Sequence, residues 1–306
     1  MIVRPADIGD AERAALAGGT LLAERVDVAR FELTGTQRVA CLQGIVTCDV
    51  ARSTGGSLFG ALLTNKGMIV APLWIALLDG AIRLEAPAAA APALAETFAR
   101  TLPPRLCRWR DVTAETASLG FYGPGAAAAA RPAGAWPARA RGLAGWETQP
   151  AVGEADALVE RALSAGAVRA SAALLERSRI EAGVPRLGLE IDDRTLPQEA
   201  RLDALDGVSY SKGCYVGQET VARVHFRGHA NRRLVSVDLA AEADTVPVEL
   251  AQDEKAAGRL TSAAWSEAAR GWIGLAVVRR GVDDGAELDG AGMVITVRGE
   301  RWLRPA

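Results

Sequence analysis

An α+β fold closed by a small C-terminal β-barrel is predicted by three observations on the 306-residue chain. Strand-like and helix-like runs alternate irregularly before residue 230, without the even rhythm of a parallel doubly wound sheet. Two hairpin signals, Thr64-Asn65-Lys66-Gly67 and Asp79-Gly80, fall between neighbouring apolar runs, and short turns of that kind join antiparallel strands. After Asn231 short β-type runs follow one another with Gly, Asp and Pro between them. At roughly 100–200 residues per domain the chain holds two or three cores. We place the boundary so that residues 1–230 form the α+β part, as two subdomains, and residues 231–306 form the barrel.

The elements follow from local pattern. Residues 25–33 alternate apolar and polar, with Val26, Val28, Phe31 and Leu33 as the apolar members, and read as a half-buried strand. Residues 38–43 read as a short helix closed by Gly44. Residues 59–63, 68–77 and 81–86 read as strands around the two hairpin turns, 92–102 as a helix, and 106–113 and 117–122 as strands. Residues 123–146, rich in Ala, Gly and Pro without a period, read as a loop or insertion. Residues 171–182 carry the best helical pattern, stopped by Gly183. The barrel runs are 234–239, 258–265, 272–278 and 293–298.

Composition sets further bounds. The chain is 49% apolar and 24% charged with net charge −2, which fits a folded globular protein and gives bulk electrostatics no reason to select nucleic acid. No uncharged apolar run reaches the roughly 18–20 residues of a membrane helix. The first ten residues contain Asp7 and Asp10 and lack a signal-peptide layout, so a cytoplasmic location without membrane contact is expected. The four cysteines, Cys41, Cys48, Cys107 and Cys214, include no CxxC pair, and reduced thiols are expected. There are 61 alanines, and 32 arginines against only 3 lysines. Where arginine is the default cation, Lys66, Lys212 and Lys255 mark places to search for chemistry that needs a compact ammonium.

The densest segment is Ser209-Tyr210-Ser211-Lys212-Gly213-Cys214-Tyr215-Val216-Gly217-Gln218-Glu219, followed by Thr220 to Arg223. Glycines on both sides of Cys214 and Tyr215 permit a tight turn that exposes the side chains between them. An ammonium two residues from a thiol favours the thiolate, so Lys212 and Cys214 together read as a reactive cysteine. Burial of Cys214 as a small hydrophobe ahead of a helix is the competing reading. His225 and His229 are four residues apart, but Gly228 interrupts the helix and no third ligand is close, so no metal site is expected. Arg223, Arg227, Arg232 and Arg233 form a local basic strip suited to carboxylates, an acidic partner or RNA phosphate, or simply to a solvated linker.

The run Lys212 to Glu219 with Arg223 and Arg227-Gly228 resembles the signature of the YgfZ family, folate-binding relatives of the glycine-cleavage T-protein. Four other pieces agree in order: Leu42-Gln43-Gly44 with Thr47 and Asp49-Val50; Thr64 to Gly67; Arg179 to Pro185; and Leu196-Pro197-Gln198-Glu199. The resemblance covers about residues 20–235 and implies a T-protein-like ring of ferredoxin-like folate-binding subdomains followed by a barrel.

It further implies tetrahydrofolate or a derivative as ligand, with Glu181 at the position that reads the pterin ring; a carboxylate suits a pair of adjacent N–H donors. A helix-end acid in a salt bridge is the alternative for Glu181. Asn65, Lys66, Tyr215, Gln218, Glu219, Arg223 and Arg227 are the other residues assigned to the folate site, with Tyr215 and Phe226 offering rings for stacking or for packing. Transferases of the T-protein kind carry an acid on the strand after the Asn-Lys-Gly-like turn. Here that strand reads Gly67 to Trp74 without a carboxylate, which disfavours the transferase route.

The implied role is support of iron–sulfur cluster assembly or repair, reaching tRNA modification through cluster-dependent enzymes, with assembly or client proteins as partners and direct tRNA contact as a weaker option. Cys214 would meet a transient or shared cluster, because one cysteine cannot hold one alone. A tetrahydrofolate-dependent aminomethyl or one-carbon transferase is the alternative.

Overall fold

The computed structural model describes residues 1–53, 56–138 and 141–303. Its strands fall into two five-stranded sheets and a barrel. In the first sheet Ser57–Leu63, Ile69–Leu77, Ala81–Pro87, Val28–Thr34 and Arg108–Asp111 lie side by side, all antiparallel. The expected hairpins at Thr64 to Gly67 and Asp79-Gly80 are the connections that fix this register. One face carries Phe31, Leu33, Leu73 and Ile75, each fully buried, and covers itself with helices Arg38–Gln43 and Ala91–Thr101 through Leu42, Leu94 and Phe98. The first of these helices spans the residues its pattern predicts.

The second sheet orders Val168–Arg169, Leu21–Glu24, Leu119–Tyr122, Gly145–Thr148 and Trp136–Pro137. Helices Ala126–Ala130 and Val152–Ser164 bury Ala126, Ala130, Val159 and Ala162 against Leu22, Leu119 and Phe121. Residues 123–146 therefore hold regular structure where a loop is expected; Arg139 and Ala140 of that stretch lie outside the described residues. The strand expected from residue 25 begins at Val28, because Val26 is 90% exposed in the link between Leu21–Glu24 and Val28–Thr34.

Between the two sheets lies a buried ionic cluster. Arg141 bridges Glu85 and Glu147, Arg25 reaches Glu147 at 2.5 Å, and the Arg141 guanidinium lies 3.8 Å from the Trp74 ring centroid. Burial opposes the charge on Glu85, but the guanidiniums of Arg141 and Arg25 outweigh it and hold its carboxyl below the usual range.

The third body is a closed six-stranded barrel. Lys255–Ser266 pairs with Val248–Gln252, and the ring continues through Glu287–Gly290, Met293–Gly299, Arg232–Leu239 and Gly271–Arg279 back to Lys255–Ser266. Closure leaves the barrel without a free edge. The strands at 248–252 and 287–290 escape the pattern analysis because both are short and polar on their outer faces. Ile2–Val3 also joins the barrel, parallel to Lys255–Ser266, so the N-terminal residues lie with the C-terminal strands.

Helix Ala172–Ala182 joins this body to the rest: Leu174 and Ile180 share one apolar cluster with Val3, Leu234, Ala264 and Leu275. Ser171 caps its first turn by accepting from the Leu174 amide, and Gly183 ends it in the left-handed conformation. Among the described residues no helix is long and apolar enough to cross a membrane.

Candidate functional site

Four of the five sequence pieces converge on one surface. The segment that follows helix Arg38–Gln43 receives the Lys212 to Glu219 run along its length. Val216 donates its amide to the Gly44 carbonyl at 3.2 Å, Lys212 Nζ donates to the carbonyls of Val46 and Cys48 at 2.7 and 2.8 Å, and Ser209 donates its amide to the Thr47 carbonyl at 2.9 Å. Thr47 completes the seam, its hydroxyl donating to Gly207 O and accepting from the Ala61 amide. Gln198 of the Leu-Pro-Gln-Glu piece donates to Val221 O at 2.9 Å and to the Tyr210 hydroxyl at 3.2 Å.

The Asn-Lys-Gly turn supplies the fourth contact. Gly67 and Gly217 both have positive φ, at +84° and +81°, and stand against one another. A β-carbon on Gly217 would lie 2.5 Å from the Thr64 carbonyl and 3.1 Å from Gly67 Cα; one on Gly67 would lie 2.9 Å from Thr220 Cβ. Glycine is required at both positions, by backbone conformation and by space. Gly217→Ala is accordingly expected to cost about 1–3 kcal/mol of folding stability. Equilibrium urea unfolding reads this, and a variant within about 0.5 kcal/mol of the parent would mean that the turn and the helix do not meet this closely.

Gly217 opens helix Gln218–Arg227, and Cys214 sits just ahead of it. Among the described cysteines Cys214 is the exposed one; Cys48 and Cys107 are buried and Cys41 is half-buried. Burial pushes the Cys48 thiol up to about 12. Of the two readings of Cys214, the structure supports the exposed thiol on a tight turn.

Two residues expected beside that thiol or a ligand have other work. Lys212 is only 8% exposed, its ammonium is committed to the Val46 and Cys48 carbonyls, and it lies 4.9 Å from the Tyr215 ring centroid. The expectation that it activates Cys214 is corrected: the ammonium faces inward and fastens the motif to the first sheet's connection. Burial lowers its pKa to about 8. Tyr215 is likewise a core residue, packed among Phe59, Ile69, Leu202 and Val221 and with its hydroxyl pushed up to about 12 by burial, so it presents no ring for stacking.

The remaining predicted residues divide between surface and core. Asn65 and Lys66 are exposed at the turn, and Arg227 is exposed at the end of the motif helix. Glu219 and Arg223 are exposed and pair with each other at 2.9 Å, one helical turn apart. Gln218 is half-buried, and its side-chain carbonyl accepts from the Tyr215 amide, closing the turn before the helix. Glu181 faces the barrel: it is 2% exposed, and its carboxylate accepts from the Ser266 hydroxyl at 2.7 Å.

The basic strip is not continuous. Arg232 is held by Asp192 and Glu199, and Arg233 by Asp284, leaving Arg223 and Arg227 as its exposed part. Local pattern gives no sign of the stack of His225 on Tyr210, with centroids 3.6 Å apart and planes 13° apart, or of the exposed Phe226 beside it. No group of three or more metal-ligating side chains is found among the described residues. The strand after the turn, Ile69–Leu77, carries no carboxylate that could serve a transferase. Two cavities, of about 280 and 740 Å³, lie against the barrel, and none of the predicted site residues lines either.

No family model matches the chain. It is similar to the "tRNA-modifying protein YgfZ" of Serratia proteamaculans (strain 568), 41% identical over 90 residues, which is 28% of this chain and 27% of that one. It is also similar to the protein of that name from Vibrio atlanticus (strain LGP32), 35% identical over 132 residues, or 41% of each chain. The match thus spans between about a quarter and two-fifths of these relatives' own length. Among solved structures, the glycine cleavage system aminomethyltransferase T of Bartonella henselae superposes with a TM-score of 0.78 over 94% of this chain and 87% of that one, at 19% identity. That identity speaks for the fold alone. The chain is thus similar to YgfZ proteins over part of their length and has the fold of the glycine-cleavage aminomethyltransferase.

Proposed function

We propose that this protein binds tetrahydrofolate or a derivative and supports assembly or repair of iron–sulfur proteins in the cytoplasm, with Cys214 as the functional thiol. The observation that carries the reading is the placement of Cys214: exposed, in a motif run held by three other motif segments that are distant in sequence. Such a platform presents one thiol in a fixed position. A cluster needs more ligands than Cys214 can give, so the iron–sulfur unit is cargo shared with a client or assembly protein that contributes the other thiolates.

A folate, when bound, would supply a carrier for one-carbon units, and its ring has the adjacent N–H donors that a carboxylate such as Glu181 accepts. Glu181 and Ser266 form a matched polar pair at the junction of helix Ala172–Ala182 with the barrel. Arg223 and Arg227, with Asn65 and Lys66 on the facing turn, are exposed donors suited to the ligand's carboxylates. Cluster-dependent thiolating enzymes would extend the effect to tRNA modification.

In cells dependent on this chain, Cys214→Ser is expected to abolish its support of a [4Fe–4S] enzyme, while the purified variant keeps the parent's unfolding midpoint and folate titration. Full support by the variant would remove the thiol from the mechanism. With no carboxylate on strand Ile69–Leu77, the purified protein is expected to leave methylene-tetrahydrofolate unconsumed. Measurable turnover would favour the one-carbon transferase instead.

A further inference from the structure

Two further cysteines, Cys41 and Cys107, lie on helix Arg38–Gln43 and just ahead of strand Arg108–Asp111. Cys41, on that helix, is half-buried and packs against the first sheet's core, of which Cys107, 1% exposed, is a member. The two segments are tied by backbone. Gln37 donates its amide to Leu106 O at 3.1 Å, Cys41 donates its amide to Gln37 O one turn on, and Gly35 approaches so closely that a β-carbon there would lie 3.2 Å from Cys107 Cα. The Cys41 and Cys107 side chains are neighbours at the edge of this core. Burial and the neighbouring Cys41 push the Cys107 thiol up to about 11, and the charge of nearby Arg38 opposes them. Arg38 Nε is buried with no hydrogen-bond partner among the described residues.

We propose that Cys41 and Cys107 form a reversible dithiol–disulfide site whose oxidant is a hydroperoxide. Cys41, the reachable thiol, attacks the peroxide oxygen; the O–O bond breaks, Cys41 becomes a sulfenic acid, and the alcohol or water leaves. Cys107 sulfur then attacks Cys41 sulfur, the S–O bond breaks, and the hydroxide that leaves takes the Cys107 proton as water. Two thiols are oxidised by two electrons and one peroxide is reduced. Arg38 holds the Cys107 sulfur as its negative charge develops, and a dithiol reductant reverses the step.

The consequence reaches the motif, because the same helix ends at Gly44, whose carbonyl accepts from Val216. A bond from Cys41 to Cys107 anchors the helix that supports the Cys214 turn.

The test is to expose the full chain to a small excess of hydrogen peroxide, block remaining thiols with iodoacetamide and map the peptides. The expected product is a monomer with Cys41 linked to Cys107, lighter by two hydrogens and restored by dithiothreitol. In Cys107→Ser, Cys41 is expected to accumulate as a sulfenic acid trapped by dimedone, without a cross-link. Should Cys107→Ser fail to fold, Cys41→Ser must prevent the cross-link in the same way. Alkylation of both Cys41 and Cys107 after Cys214 has been oxidised would overturn the proposal, as would a cross-link from Cys41 to Cys214 or between chains.

Discussion

Replacing Arg179 with Met is expected to lower folding stability by about 3–5 kcal/mol, the range for breaking a buried ion pair from one side. All five guanidinium N–H groups of Arg179 are engaged. Nε and Nη2 donate to the two carboxylate oxygens of Glu176 at 2.9 and 2.7 Å, Nη1 to Val184 O at 2.7 Å and Glu190 Oε2 at 3.1 Å, and Nη2 also to Ser262 Oγ at 2.7 Å. Burial opposes the charge of Arg179, but Glu190 and Glu176 outweigh it and raise its pKa above the ordinary value. Without the cation, Glu190 keeps only its neutral donors, the hydroxyls of Thr261 and Ser262 and the Arg186 amide.

Glu176 keeps the Arg186 guanidinium at 3.3 Å, but buried Glu190 has lost its charge partner, and burial raises the pKa of such a group. A group whose folded pKa is raised loses stability as pH climbs through that value. The deficit of Arg179→Met should therefore be smaller near pH 5 than near pH 8. Urea unfolding at both values checks this, and a deficit that is equal at the two, or below about 1 kcal/mol, would show that Arg179 is not the hub of this network.

Arg179 also shows what the sequence alone could convey. It belongs to a recognisable motif piece, and the helix, its Ser171 cap and its Gly183 stop are all legible from local pattern. What Arg179 holds is not: Ser262 is 83 positions away on a barrel strand. The same division runs through the molecule. Hairpins and short helices with clear punctuation are read correctly, since turn residues and apolar spacing act locally.

Strands such as Ile2–Val3 and Val248–Gln252 are missed because tertiary pairing, not their own pattern, makes them strands. The buried cluster of Arg25, Glu85, Arg141 and Glu147 leaves no local signal either, since its members come from separate strands and loops. At the candidate site, glycine flanks and motif order identify the Cys214 turn, and the structure adds the direction in which each side chain points. Tyr215 and Lys212 adjoin Cys214 in sequence and face the other way. Two residues of separation on a tight turn do not determine a shared side.

Lys212 is the case in which residue scarcity pointed to the right position and the wrong chemistry. A compact ammonium fits between two carbonyls 2.7 and 2.8 Å away, where a broad guanidinium would overfill the buried space. Its burial has a measurable consequence. The folded pKa of about 8 lies below the ordinary lysine value of 10.5, and burial is the dominant cause, opposed by Cys48 and Asp49. Between these values the folded chain has released a proton that the unfolded chain still binds, so this group's contribution to stability rises with pH across that window.

Relative to Lys212→Met, which has no proton to release, the parent is expected to gain about 2–3 kcal/mol between pH 7.5 and pH 10. The gain is read as the difference between paired urea unfolding curves, in which other titrating groups largely cancel. A flat difference would mean that the ammonium is solvated, and a falling one that it is paired with an acid; either would contradict the inward placement. Lys212→Arg, which keeps the charge and adds bulk, should be destabilised by about 1–3 kcal/mol through overpacking and should not restore the pH-dependent gain.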